Sequence, residues 1–179
     1  MRRAAQSGVS LIELMIAVVV IGIVLALGLP AYGNWIQNVQ IRTAAESILN
    51  GLQTARNEAI RRNVGVQFQL DNGTTTQWRV NLFSDPDNTV SPLARRASEE
   101  GTPNASVTVL PAGADTVTFS ALGRVITNAD ASASLTQIDV DNTTIPVVAD
   151  RRNLRIMIPP GGAIRLCDPK VAAGDPRTC

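Results

Sequence analysis

One carboxylate inside an apolar run constrains this chain more than any other feature. The first eight residues, Met1-Arg-Arg-Ala-Ala-Gln-Ser-Gly8, are polar and basic. From Val9 to Leu29 every side chain is apolar or glycine except Ser10 and Glu13. An ionised side chain at the bilayer centre costs roughly 2.5–3.5 kcal/mol, so such runs rarely hold one without a use for it. The uninterrupted stretch 14–29 is 16 residues long, short of the ~20 that span a bilayer comfortably. Residues 9–12 restore the length if Glu13 is neutralised or lies near the interface. Arg2 and Arg3 hold the N-terminus in the cytoplasm by the positive-inside rule, which puts everything after Pro30 on the far side. A secretory signal cut near Ala26-Leu27-Gly28 and a plain membrane anchor are two ordinary readings. A charge within the apolar core, and helical patterning that continues past Gly28, argue against the first.

Gly8, Val9, Leu11, Ile12, Glu13, Leu14 and Met15, closed by Pro30 and Tyr32, resemble the leader of type IV prepilins and type II secretion pseudopilins. The resemblance implies that a prepilin peptidase/methyltransferase cuts after Gly8 and N-methylates Val9, where most relatives carry Phe. It also implies that Glu13 pairs with the N-terminal ammonium of a neighbouring subunit during assembly. The competing role for Glu13 is to complement the positive helix N-terminus at the headgroup level. Pro30 removes one backbone hydrogen bond and would kink a helix there. Gly22 and Gly28 would let neighbouring helices approach closely, although glycine is also simply common in membrane helices.

Beyond Pro30 the helical period resumes. Ile41, Ala45, Ile48, Leu52, Ala55 and Ala59 form one apolar stripe, with Arg42, Glu46, Gln53, Asn57, Glu58 and Arg61 largely off it. Glu58 and Arg62 form an i,i+4 pair near the helix end. A continuous helix over 9–62 would reach roughly 80 Å at 1.5 Å per residue. From Val64 the period changes to two: Val64, Val66, Phe68 and Leu70 alternate with polar or small residues. Asp71-Asn-Gly73 signals a turn, and Trp78, Val80 and Leu82 supply a hairpin partner. Residues 84–105 read as a long exposed loop. Further strands are expected at 107–110, 116–119, 124–127 and 137–140. Residues 154–158 and 163–167 flank Pro159-Pro160-Gly161-Gly162, a hairpin-loop composition.

The segment Gly51-Leu-Gln-Thr-Ala-Arg56-Asn-Glu58-Ala59-Ile60-Arg-Arg62 resembles the helix-end signature of the GspH/FimT branch of minor pseudopilins and minor pilins. Trp78 and Gly162-Ala-Ile-Arg165-Leu-Cys167-Asp168-Pro169 extend the likeness. The first seventy residues match well, the last twenty moderately, and 84–150 only in outline. The implied fold is α+β and type IV pilin-like, with a long N-terminal helix packed on an antiparallel β domain. Its parts are a leader (1–8), a transmembrane half-helix (9–30), an amphipathic periplasmic half-helix (31–63) and the β domain (64–179).

Catalysis has no visible constellation. There is no histidine, the commonest general base, and no phosphate loop, nucleophile elbow or zinc-spaced cysteines. No cofactor is expected. Asp85/Asp87 and Asp139/Asp141 could offer oxygens to calcium but lack EF-hand spacing, and turn or strand-face roles are simpler. Cys167 and Cys179 are the only cysteines. In an oxidising periplasm they are expected to pair and pin the tail, contributing about 3 kcal/mol on the chain-entropy model.

Net charge is +1. Loss of Arg2 and Arg3 with the leader leaves 14 basic against 15 acidic side chains, which argues against wholesale nucleic-acid binding. Arg155, Arg165, Lys170 and Arg177 nevertheless gather near the C-terminus, with Arg155 and Arg165 expected on one solvent face. FimT-type minor pilins bind DNA through Gly-Arg-x-Arg; the matching positions here, Gly162 to Arg165, lack the first arginine. The expectation is therefore a structural subunit. It sits in the inner membrane with its C-terminal domain periplasmic, and partners other pilins in the tip of a secretion pseudopilus or type IV pilus. DNA capture is the alternative.

Overall fold

The computed structural model describes residues 10–88 and 91–179, and for residues 27–31 the backbone alone. Helix α1 spans Leu11–Arg62. Ser10 caps it: its Oγ accepts the Glu13 N–H at 3.3 Å, in the Ser-x-x-Glu spacing of a capping box. Pro30 lies within α1 and does not end it. The helix stops at Asn63, whose φ of 56° is left-handed, a conformation that asparagine tolerates better than most residues. The Val64 N–H then returns to the Ala59 carbonyl at 3.2 Å, closing the end in the Schellman manner.

The chain forms two compact units, Met1–Ile36 and Gln37–Cys179. In the first, the large apolar side chains of residues 11–25 are exposed on every side of the helix. Among the described residues no helix is long and apolar enough to cross a membrane; side chains of this unit are described for 10–26 and again from Tyr32.

The second unit joins residues 37–62 of α1 to two antiparallel sheets. Its strands are β1 (Val66–Leu70), β2 (Trp78–Leu82), β3 (Ala94–Arg96), β4 (Ser106–Leu110), β5 (Thr116–Phe119), β6 (Val125–Ile126), β7 (Gln137–Asp141), β8 (Leu154–Met157) and β9 (Arg165–Cys167). One sheet has the order β3-β2-β1-β5-β6, the other β4-β7-β8-β9. The expected first hairpin is present, with Phe68 opposite Val80 and Leu70 opposite Trp78. The β8–β9 pair sets Ile156 opposite Leu166. The α+β fold expected from the helical stripe and the alternating segments is thus the observed one.

The predicted stripe is the core face. Ile41, Ala45, Ile48, Leu52, Ala55 and Ala59 are fully buried, together with Val66, Phe68, Val80 and Phe119 of one sheet and Ile138, Val140 and Ile156 of the other. Burying each large side chain contributes about 1.5–3 kcal/mol, so tertiary packing rather than intrinsic propensity holds this half of the helix. Gly51 sets the approach: a Cβ there would lie 2.9 Å from the rings of both Phe68 and Trp78. Trp78 adds a polar tie, its Nε1 donating to Ser47 Oγ at 3.0 Å.

One segment departs from expectation. Residues 84–105 are not an uninterrupted loop, since β3 forms inside them and pairs with β2, Arg95 opposite Arg79. The segment before it folds back on the outer face of the sheet, where Asn81 Nδ2 donates to the Pro86 carbonyl at 2.6 Å. Gln67 and Asn81 are consequently buried although they point away from the core.

Candidate functional site

Two regions carry the residues singled out from the sequence. At the start of α1, Glu13 occupies the first turn and is exposed among exposed Leu11, Ile12, Leu14, Met15 and Ile16. A carboxylate there complements the positive helix end. Apolar residues cover the whole circumference, so the segment offers a neighbour an apolar surface marked by a single negative group. Gly8 and Val9 lie outside the described residues, as does the Pro30 side chain.

The second region is the C-terminal sheet. Cys167 and Cys179 are bonded, with Cα atoms 5.1 Å apart, as expected. The tail also returns as backbone: the Asp168 N–H donates to the Arg177 carbonyl at 2.8 Å. Arg155 and Arg165 do share a face, because Arg155 stands opposite Cys167 and Arg165 opposite Met157. The cations considered for DNA capture are nonetheless engaged within the chain. Arg155 grips Asp139 through Nε at 2.6 Å and Nη2 at 3.1 Å, and this hydrogen-bonded carboxylate raises the guanidinium's pKa further. Arg177 pairs with Asp175 at 2.8 Å, and its hydrogen bond holds that carboxyl down to about 2. Lys170 Nζ donates to the carbonyls of Val148 at 2.8 Å and Arg151 at 2.7 Å. Arg165 Nη2 donates to the Cys179 backbone oxygen at 3.2 Å. These cations are neighbours in sequence, and the fold puts an acceptor beside each one.

The same pairing occupies the aspartates considered for calcium. Asp139 belongs to Arg155, and Asp141 Oδ2 to Arg151 at 3.3 Å. Asp85 accepts from Asn88 Nδ2 at 3.1 Å. Among the described residues no group of three acidic, histidine or cysteine side chains could hold a metal ion.

A junction that sequence reasoning passed over lies within the second unit. Arg56 Nε donates to the Gly123 carbonyl at 3.1 Å, tying α1 to the β5–β6 turn. Gly162, in the β8–β9 loop, has φ of 79°, and a Cβ there would meet the Gly123 oxygen at 1.9 Å. Only glycine fits that left-handed, crowded position. The helix, one turn from each sheet and two glycines therefore converge on one guanidinium. Arg56 belongs to the helix-end signature and Gly162 to the C-terminal one; their partnership needed the third dimension.

Comparison with known proteins agrees with this architecture. The prokaryotic N-terminal methylation motif matches residues 3–29. Fimbrial proteins of Moraxella nonliquefaciens and Pseudomonas aeruginosa are each 45% identical to this chain, over 51 and 56 residues, or 28% and 31% of it. The matched stretches span about a third of those relatives, 32% and 36% of their lengths. In structure the chain is similar to the type IV minor pilin FimU of Pseudomonas aeruginosa strain PAO1, with a TM-score of 0.53 at 17% identity. That match covers 74% of this chain and 91% of FimU; a second crystal form gives 0.50. Residues 44–162 match the model described as type II transport protein GspH. That span includes the end of the amphipathic helix, every strand but β9 and the Arg56–Gly123–Gly162 junction, and by it this chain belongs to the GspH family of minor pseudopilins and minor pilins.

Proposed function

We propose that this protein is a structural subunit of a filament tip, assembled by its N-terminal half-helix and carrying no reaction of its own. The observation behind this reading is that residues 11–25 expose apolar side chains all round α1 with one carboxylate, Glu13, in the first turn. Water does not tolerate such a surface uncovered. Lipid covers it before assembly, in the inner membrane with the second unit periplasmic, and the helices of other pilins cover it afterwards. Maturation by cleavage after Gly8 and N-methylation of Val9 would supply the ammonium that Glu13 pairs with in a neighbouring subunit. Opposite charges removed from water need a partner, and a terminal amine at that depth is one. The filament is a secretion pseudopilus or a type IV pilus, since both use this leader and this helix. DNA capture is not carried forward, because the arginines it requires bind acceptors within the chain.

Two measurements in a host with its prepilin peptidase test the proposal. Intact-mass analysis should find a methylated chain beginning at Val9; a mature start near Tyr32 would overturn it. Glu13→Ala should insert normally and yet co-purify with other pilins at least tenfold less. Unchanged co-purification would remove the assembly role and leave Glu13 as a helix-end residue only.

A further inference from the structure

Outside the regions already described, one cavity combines charge, depth and an unpaired backbone edge. A groove of about 420 Å³ opens beside β2 and β3, lined by Asp71, Trp78, Arg79, Arg95, Arg96 and Glu100 among others. Arg79 and Arg95 stand directly opposite each other on the two antiparallel strands. Like charges in that relation repel and destabilise the pair unless an anion lies between them.

The chain's own acids do not supply one for Arg95. Asp71 is held by Arg79 Nη1 at 2.7 Å and by Gln77 Nε2 at 2.7 Å. Glu100 lies 4.0 Å from Arg96 Nε, and Arg96 also donates to the Glu100 and Thr43 carbonyls. Arg95 is exposed and has no ion pair among the described residues. Arg79 keeps a buried Nε–H with no acceptor, although its Nη2 reaches Gln69 at 2.9 Å. That donor is shielded from solvent, so the guanidinium open to an occupant of the groove is that of Arg95, and a carboxylate is the acceptor that fits a guanidinium fork. The groove also lies against β3, an edge of the five-stranded sheet. One side of an edge strand presents unpaired N–H and C=O groups, a template for an added strand.

We propose that this groove binds an extended, acidic segment of a partner polypeptide, laid alongside β3 with one of its carboxylates against Arg95. A polypeptide is favoured over a nucleic acid because Asp71 and Glu100 line the same groove and repel a continuous polyanion, while spaced carboxylates avoid them. The edge strand moreover offers main-chain pairing that a phosphate backbone cannot use. This inference goes beyond the filament role, and it is tested without filament assembly.

The full chain in detergent micelles is titrated into a labelled, terminally blocked peptide of alternating glutamate and threonine, with binding followed by fluorescence anisotropy at low salt. Saturable binding is expected, with none to the glutamine–threonine counterpart. Arg95→Glu should weaken binding by about tenfold or more. Arg124→Glu serves as the control: it reverses an exposed charge beside β6, at the opposite edge of the same sheet, and should leave binding unchanged. Arg95 is exposed, so its replacement leaves the fold intact, and an unchanged thermal transition verifies that. Equal affinity of wild type and Arg95→Glu would overturn the proposal, as would no binding at all. Blocked single glutamate binding as tightly as the peptide would overturn the strand pairing. Displacement of the peptide by an equal charge of duplex DNA would assign the groove to phosphate instead.

Discussion

Residues 11–25 and residues 41–59 belong to one helix and are both rich in apolar side chains, but their surroundings are opposite. Ile21 is 57% exposed, whereas Ile48 and Leu52 are 0% exposed. In the second segment the apolar residues recur at three and four, leaving Arg42, Glu46 and Glu58 for solvent, and the chain's own sheets cover the stripe. In the first no polar face exists, so no single sheet in the same chain could satisfy it. A one-sided apolar helix is completed by its own fold. An all-round apolar helix is completed from outside, by lipid or by other helices. Stability is therefore encoded in the second segment and, on the proposed function, association in the first.

The sharpest way to break that division is to shorten one side chain in each segment. Leu52→Ala should cost about 2–5 kcal/mol by leaving a cavity in the core. Ile21→Ala should change stability by less than about 0.5 kcal/mol while reducing co-purification with other pilins. Thermal unfolding of the second unit, followed by near-ultraviolet circular dichroism in detergent, reads the first effect. Comparable losses in both variants would erase the contrast.

A smaller effect is expected at the disulfide, which confines the tail rather than the core. Cys179→Ser should lower stability by about 2–3 kcal/mol and leave the helix-on-sheet core folded. Retention of that core, read as native near-ultraviolet signal at room temperature, would limit the bond's role to the tail. Its collapse would make the tail part of the fold's foundation.

The smallest effect concerns the end of the buried half-helix. Hydrogen bonds from Arg61 and Arg62 hold the Glu58 carboxyl at about 2, below its ordinary 4.5. A depressed folded-state value means the contribution is fully present above pH 4.5 and disappears as pH falls through 2. The pair is solvent-accessible, so salt should weaken it. The difference in melting temperature between wild type and Glu58→Gln should be small at neutral pH and shrink across that acid window. A difference independent of pH would show that Glu58 acts by packing and not by charge.

Much of the fold was legible in the residues. Alternation and turn signals placed every strand but β3 to within about two residues; the pattern is strictest where a strand buries one face, as in β4 and β7. β3 was not legible, since Ala94, Arg95 and Arg96 carry no alternation. They become a strand because β2 leaves an edge beside them. Strand β1 begins at Val66 instead of Val64 because the left-handed Asn63 and the helix closure consume the intervening residues. The cationic C-terminus illustrates the reverse case. The arginines and their shared face could be read, but apart from Asp175 beside Arg177 their acceptors lie far off in sequence or in backbone carbonyls, as with Asp139 for Arg155.

By itself the sequence determined where the chain is helical, which stripe of the helix is core, that an apolar half needs a partner beyond the chain, and which two cysteines could bond. Those properties depend on residue type and spacing along a short stretch. Only the tertiary structure decided the split into two sheets, the convergence of Arg56, Gly123 and Gly162, the internal pairing of the basic cluster and the groove beside β3. Each of these depends on which distant backbone and side-chain groups meet once the core has closed. A charge or a donor takes its role from the neighbour it finds there, and local periodicity carries no record of that neighbour.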